Sequence, residues 1–178
     1  LIADLCTSGN HPGSGIEWVL CDWGGEPGGV ERPGIAVAPV EEFVRRPGGG
    51  GCEDPRITYV EHLKRYVMAY AAFSAAGPRV AFAISQDLLH WKRLGLATFE
   101  PFGGLEFDRI SNKDGLIFPD PVPGPDGRPA MAMIHRPLFP GTEAGDTVAK
   151  PTPRAIDVDA ESIWIAYSSL ARTGHNSL

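Results

Sequence analysis

Short apolar runs separated by glycine and proline recur along the chain. Residues 16–20 alternate apolar and polar, and a second short apolar run covers residues 34–38 after a loop, which predicts an antiparallel pair of strands. Residues 66–73 and 79–85 predict a hairpin across a turn at residues 75–78. The first half of the chain therefore has the pattern of an all-β fold.

The second half of the chain continues the same pattern. Residues 115–118 and 129–135 predict another strand pair, with the Gly-Pro-Asp-Gly turn at residues 124–127 between them. Residues 162–168 predict a last strand. Every apolar segment named so far is short enough for a strand.

Glycine and proline content supports this interpretation. The chain of 178 residues contains 22 Gly and 17 Pro, which is too many for long helices and typical of short strands joined by tight turns. Two segments are predicted to lie outside strands. Residues 1–15 read as a lead-in that ends in a turn cluster, and residues 87–95 as a turn in which Trp91 caps the sheet.

Three of the predicted strands resemble one another. They start at residues 34, 79 and 162, so their starts lie 45 and 83 residues apart. One interval and then roughly two intervals of about 40 to 45 residues match the spacing of β-propeller blades. The alternative is that strands of any all-β protein look alike, and spacing alone leaves both interpretations open.

Charge and cysteine content narrow the classes of function. The formal net charge is -6 and no run of Lys or Arg exceeds two residues, which argues against a nucleic-acid partner. No window approaches the ~18 apolar residues of a membrane span, and the N-terminus lacks a secretory pattern. The three cysteines form no CxxC pair, so we expect reduced thiols, no metal site and a cytoplasmic location.

The acidic pair in Glu53-Asp54-Pro55-Arg56 follows a glycine-rich stretch and precedes a β-prone run. Proline lacks a backbone donor and disfavours helical conformations in the residue before it. We therefore expect Asp54 to be extended and the acidic pair to lie at the mouth of a strand. A carboxylate at a strand mouth is expected to face the space that the fold encloses.

Two further polar clusters, residues 111–115 and 135–137, also interrupt the β pattern at predicted strand ends. Corresponding strand ends of a propeller converge on its central channel, so these clusters are expected to meet. Lys113, His135 and Arg136 would then form a cationic group opposite Asp54. Lysine binds phosphate as a point charge and arginine as a fork, so the group suits an oxyanion.

Each cluster also has a simpler interpretation. Arg56 could pair with Glu53, His135 could be a satisfied strand-end histidine, and residues 112–115 could be a plain turn. Strand-end cations beside apolar runs are costly to bury without a partner, and this favours a shared role.

Four motifs follow one another along the chain: Gly51-Cys52-Glu53-Asp54-Pro55-Arg56-Ile57-Thr58, Asn112-Lys113-Asp114-Gly115-Leu116-Ile117-Phe118-Pro119, His135-Arg136-Pro137 and Ile163-Trp164-Ile165-Ala166-Tyr167-Ser168. In this order they resemble the motifs of glycoside hydrolase family 130, which contains β-mannoside phosphorylases and some β-mannosidases. The resemblance runs from about residue 30 to 170. It implies an all-β fold, a five-bladed β-propeller of which this chain covers roughly half, as a single partial domain over residues 1–178. Residues 171–178 depart from the family pattern.

The resemblance implies that inorganic phosphate cleaves a β-mannoside with inversion and gives α-mannose 1-phosphate. Phosphate is then the co-substrate and no cofactor is expected. Alternatives are a β-mannosidase of the same fold or an inactive carbohydrate-binding fragment, and a homo-oligomer is left open. The implied roles are catalytic acid for Asp54, phosphate binding for Lys113, His135 and Arg136, and substrate binding for Glu53, Arg56, Asn112 and Asp114.

Overall fold

The structure is a computed structural model that describes residues 2–7, 16–21, 30–31, 35–38, 51–74, 76–139 and 162–170. Its regular elements are strands, with one short 3₁₀ helix at Phe107–Arg109 among the residues described. Within these segments all strand pairings are antiparallel, and the strands form three sheets of four. The all-β prediction is confirmed.

The first sheet has strand β2 (Ile16–Cys21) at its centre. Strand β1 (Ile2–Thr7) lies along one edge, and the short strands β3 (Val30–Glu31) and β4 (Ile35–Val37) lie along the other. The predicted pairing of β2 with β4 is confirmed. The prediction that residues 1–15 form a lead-in is wrong for β1. The sequence of β1 alternates only weakly between apolar and polar residues, but its pairing with β2 makes it a strand.

The second sheet is a meander of β5 (Cys52–Val60), β6 (Arg65–Ser74), β7 (Gly77–Ser85) and β8 (Lys92–Leu96). The predicted β6–β7 hairpin is confirmed. The sequence pattern missed β8, whose glycine and two basic residues obscure the strand pattern of a solvent-facing edge.

The third sheet has β11 (Pro129–Leu138) at its centre. Strand β12 (Trp164–Ser169) lies along one edge, and β9 (Ser111–Ile117) and the short β10 (Val122–Pro123) lie along the other. The predicted pair, its intervening turn and the last strand are therefore confirmed. Gly127 closes the turn with a hydrogen bond from its N–H to Gly124 O and a φ of +77°.

The sheets pack in succession, β1 against β5 and β9 against β6 and β7. Between the first two sheets, Ile16 and Val37 pack with Met68 and Tyr70 in one buried cluster. Between the second and third, a Cβ at Gly115 would lie only 2.7 Å from Val80 Cγ1, so β9 approaches the second sheet closely because this residue is glycine. The site described below lies at this second junction.

The three similar strands of the sequence correspond to β4, β7 and β12. Each of them pairs with an inner strand of its own sheet, which is β2, β6 or β11 respectively. Successive four-stranded antiparallel sheets packed in this way form a propeller-like fold. The count of five blades stays a prediction. No helix among the described segments has the length and apolar character that a bilayer crossing requires.

Candidate active site

Asp54 lies in a β-bulge of strand β5. Glu53 pairs with Ala71 and Arg56 with Ala69, so Asp54 and Pro55 together face a single residue of β6. Asp54 has a φ of 51°, in the left-handed region that aspartate tolerates better than most residues. The prediction of an extended Asp54 at a strand mouth is therefore wrong, because the bulge holds it in a left-handed conformation inside a nine-residue strand.

Strand β9 of the next sheet repeats this irregularity. Lys113 pairs with Arg136 and Leu116 with Ile134, so Asp114 and Gly115 together face one residue of β11. Asp114 also has a positive φ, 56°. The two bulges thus place one left-handed aspartate on the first strand of each of two neighbouring sheets.

Five charged side chains meet between these bulges, and we call them the charged cluster: Asp54, Arg56, Lys113, Asp114 and Arg136. Lys113 Nζ lies 2.9 Å from Asp54 Oδ2. Arg136 Nε donates to Asp114 Oδ2 at 2.6 Å, and Arg56 Nη2 donates to Asp114 Oδ1 at 3.2 Å. Arg56 Nη1 also donates to the backbone oxygen of Asp54 at 3.3 Å. Because Arg56 contacts both Asp54 and Asp114, it connects the two bulges.

The charged cluster has three cations and two carboxylates, and its side chains are 25 to 42% exposed. Burial raises the pKa of Asp114, but the hydrogen bond from Arg136 and the charges of Arg136, Lys113 and Arg56 outweigh it and lower that pKa below its usual value. Asp114 is therefore ionised at neutral pH. The excess of one positive charge in this partly exposed cluster suits an oxyanion.

His135 and Asn112 form a separate buried pair. Both are almost fully buried, at 3% and 1% exposed, and His135 Nδ1 lies 3.1 Å from Asn112 Oδ1. Because that oxygen is an acceptor, Nδ1 carries the proton of the neutral ring. Burial lowers the pKa of His135 to about 4, so His135 is uncharged at neutral pH.

Aromatic rings surround this pair. The ring of Phe99 lies 4.9 Å from that of His135, and Phe107 lies 6.0 Å from it. Phe107 in turn contacts Phe139 and Trp164. Sequence reasoning missed these rings, because no local pattern predicts that residues 99, 107, 139 and 164 meet.

The structure thus brings five of the predicted site residues together and separates two. His135 and Asn112 lie apart from the charged cluster, since neighbouring residues of a strand project to opposite faces. Glu53 is half-buried beside Asp54. The roles predicted for all eight residues stay predictions, whereas the plain turn at residues 112–115 is wrong because they lie in strand β9.

No group of three or more His, Cys, Asp or Glu residues is arranged to hold a metal ion within the described ranges. The Asp54 and Asp114 carboxylates instead contact cationic side chains.

Comparison with known proteins identifies the family. A family profile described as β-1,4-mannooligosaccharide phosphorylase matches residues 39–137, more than half of the chain, and this range includes both bulges and the whole charged cluster. The chain belongs to glycoside hydrolase family 130. A curated relative, the 1,2-β-oligomannan phosphorylase of Thermoanaerobacter sp. (strain X514), is 32% identical over 89 residues, which are 48% of this chain and 24% of that protein.

Solved structures of family 130 proteins share the fold. The β-1,2-mannobiose phosphorylase from Listeria innocua superposes with a TM-score of 0.57 at 22% identity, over 89% of this chain and 34% of that protein. Another structure, from work on family 130 glycoside hydrolases that target β-1,2 mannosidic linkages in Candida mannan, has a TM-score of 0.50 at 25% identity, over 71% and 37%. The chain spans about a quarter of the curated relative and about a third of these structures.

Proposed function

We propose that this protein is a glycoside phosphorylase that cleaves a β-mannoside with inorganic phosphate and inverts the anomeric carbon to give α-mannose 1-phosphate. The observation that carries the proposal is the charged cluster, in which Lys113, Arg56 and Arg136 surround two carboxylates. Family membership supports the class of substrate, since relatives act on mannosides.

Asp54 is the proposed catalytic acid, which protonates the departing glycosidic oxygen. Because Asp54 forms an ion pair with Lys113, phosphate that binds Lys113 would also affect this carboxylate. A phosphate dianion competes with Asp54 for the ammonium group, so bound phosphate would draw Lys113 away from this carboxylate. Phosphate then attacks the opposite face of the sugar, as inversion requires.

The hydrogen bonds of the second carboxylate in the charged cluster, Asp114, favour phosphorolysis over hydrolysis. An inverting hydrolase needs a second carboxylate as a base to activate water. Asp114 is the other acid of the charged cluster, but each of its oxygens accepts a hydrogen bond from an arginine. A phosphate nucleophile needs no such base, so one acid suffices.

The test is incubation of the purified chain with β-1,2- and β-1,4-mannobiose, with and without inorganic phosphate, followed by ³¹P NMR. We expect α-mannose 1-phosphate only when phosphate is present. Free mannose without phosphate would support the hydrolase alternative, and mannobiose binding without any product would support the carbohydrate-binding alternative.

Asp54→Asn tests the catalytic acid within the same assay. Asparagine keeps the shape of the side chain and tolerates the left-handed backbone, so the melting temperature should stay the same. We expect turnover to fall by about 100-fold or more, the usual contribution of a general acid. The matched control is Asp126→Asn, which changes an exposed carboxylate beside Arg128 and should leave turnover unchanged. Near-normal turnover in Asp54→Asn would exclude the assignment.

A further inference from the structure

Asp114 bridges two arginines that come from different sheets. Its Oδ1 accepts from Arg56 of β5, and its Oδ2 accepts from Arg136 of β11. Each contact is a charge-assisted hydrogen bond, a class of bond that is stronger than a neutral one. Asp114 therefore fixes one nitrogen of each guanidinium group relative to the other.

The backbone places this carboxylate between the arginines. The bulge at Asp114 and Gly115 gives Asp114 a φ of 56°, as the bulge in β5 gives Asp54 a φ of 51°. A left-handed conformation at a non-glycine residue is uncommon and costs free energy. The two aspartates thus hold similar positions in neighbouring sheets but have different partners, a lysine for Asp54 and two arginines for Asp114.

We propose that Asp114 is a positioning residue for the anion site, which holds Arg56 and Arg136 in the orientation that binds phosphate. This inference rests on the proposed function and differs from direct contact between Asp114 and the sugar. Both Asp114 oxygens contact guanidinium groups, and a carboxylate held in this way fixes the direction in which the other N–H groups of the two arginines point.

The sign of the effect on phosphate affinity separates positioning from simple electrostatics. A negative charge beside an anion site repels the anion, so removal of the Asp114 charge alone would strengthen phosphate binding. If Asp114 positions the arginines, its loss frees two flexible side chains and weakens binding although the site becomes more positive. The two mechanisms predict opposite changes.

The experiment is calorimetric titration of inorganic phosphate into the wild-type chain, Asp114→Asn and Asp114→Glu. We expect both variants to bind phosphate about tenfold more weakly or worse, as the loss of charge-assisted hydrogen bonds implies. Asp114→Glu keeps the charge but lengthens the arm, so electrostatics alone predicts no change for it. Near-ultraviolet circular dichroism checks that each titrated protein is folded. Asp114→Asn carries the test by itself if Asp114→Glu, which suits the left-handed backbone less well, does not fold.

The matched control is Asp126→Asn, which also removes a carboxylate from beside an arginine but lies in the exposed turn that precedes β11. It should bind phosphate like the wild type. Equal or tighter binding by Asp114→Asn, with unchanged binding by Asp114→Glu, would overturn the positioning role and leave the proposed function standing. Failure of the wild type to bind phosphate would overturn both.

Discussion

The two faces of the β9–β11 pair differ in polarity, although the residues that form them are neighbours in sequence. Lys113 and Arg136 lie on one face in a partly solvated group of charges. Asn112 and His135 lie on the other, buried against Phe99 and its neighbours. One face carries a net positive charge at neutral pH, and the other carries none.

This difference shows that a motif contiguous in sequence can be divided by the geometry of a strand. His135 and Arg136 form one polar cluster in the sequence, but alternation along β11 sends the two side chains to opposite faces. The face with Asn112 and His135, which we call the aromatic face, is buried against aromatic rings. The face with Lys113 and Arg136, which we call the charged face, is partly exposed to solvent. We expect the two faces to respond differently to substitution.

The largest effect should come from Phe107→Ala on the aromatic face. Phe107 is buried and contacts the rings of His135, Phe139 and Trp164. We expect the free energy of unfolding to fall by about 3 to 5 kcal/mol, the usual cost of such a truncation. Urea denaturation measures this change.

The control for this variant is Phe102→Ala, which removes a ring that is 62% exposed and should change stability by less than about 0.5 kcal/mol. Phosphate affinity of the folded Phe107→Ala protein should be unchanged. A large loss of affinity in the folded variant would show that the two faces are coupled.

Gly115→Ala should affect both stability and the charged face. The new methyl group would lie 2.7 Å from Val80 Cγ1 and 3.5 Å from Ala69 Cβ, so β9 must move away from the second sheet. Overpacking of this kind costs about 2 to 3 kcal/mol. Because Lys113 lies on the displaced strand, we also expect weaker phosphate binding, measured by calorimetry.

The double variant Gly115→Ala with Val80→Ala tests the cause of this effect. Val80→Ala removes the methyl group that the new Cβ would meet, so the double variant should be more stable than the sum of the single changes predicts. Additive losses would mean that the contact with Val80 is not the source of the strain.

The smallest of the three effects should be the pH dependence contributed by His135. Its pKa is lowered to about 4 in the folded protein, against about 6.5 for an unfolded histidine. The unfolded chain therefore binds a proton first as the pH falls, and stability should decrease between about pH 6.5 and 4 by roughly 2 kcal/mol. Thermal unfolding measured across this range checks it.

His135→Gln is the control, because glutamine donates to Asn112 without titrating. The variant should lose this contribution and show a flatter profile between pH 6.5 and 4. Titration of Asp114 does not produce a stability change in this pH range, since a carboxyl with a lowered pKa loses its stabilising charge only below about pH 4. Identical profiles for wild type and variant would contradict the buried neutral state of His135.

Local sequence signals predicted much of the fold but less of the site. Alternation and turn residues were enough for the β6–β7 hairpin, the β9–β11 pair and β12. They failed for β1 and β8, whose strand conformation depends on pairing with a neighbouring strand. In β1 and β8 the strand conformation is set by tertiary context and not by local propensity.

Within the site, the sequence predicted which polar clusters meet but not how their residues are divided between the two faces of the strands. The convergence of Lys113 and Arg136 with Asp54 follows from strand positions that the pattern suggested. The separation of His135 depends on the register of β9 against β11, which a one-residue bulge shifts. The left-handed conformation of Asp54 was missed because the residue before a proline ordinarily favours an extended one.

The two left-handed aspartates also limit how this chain can change during evolution. Glycine and asparagine suit that backbone conformation, whereas β-branched residues at Asp54 or Asp114 would be strained. Codon changes that keep the bulges intact therefore lead mostly to uncharged replacements. A lineage in which asparagine or glycine replaced both aspartates would therefore keep the two bulges and lose the two carboxylates.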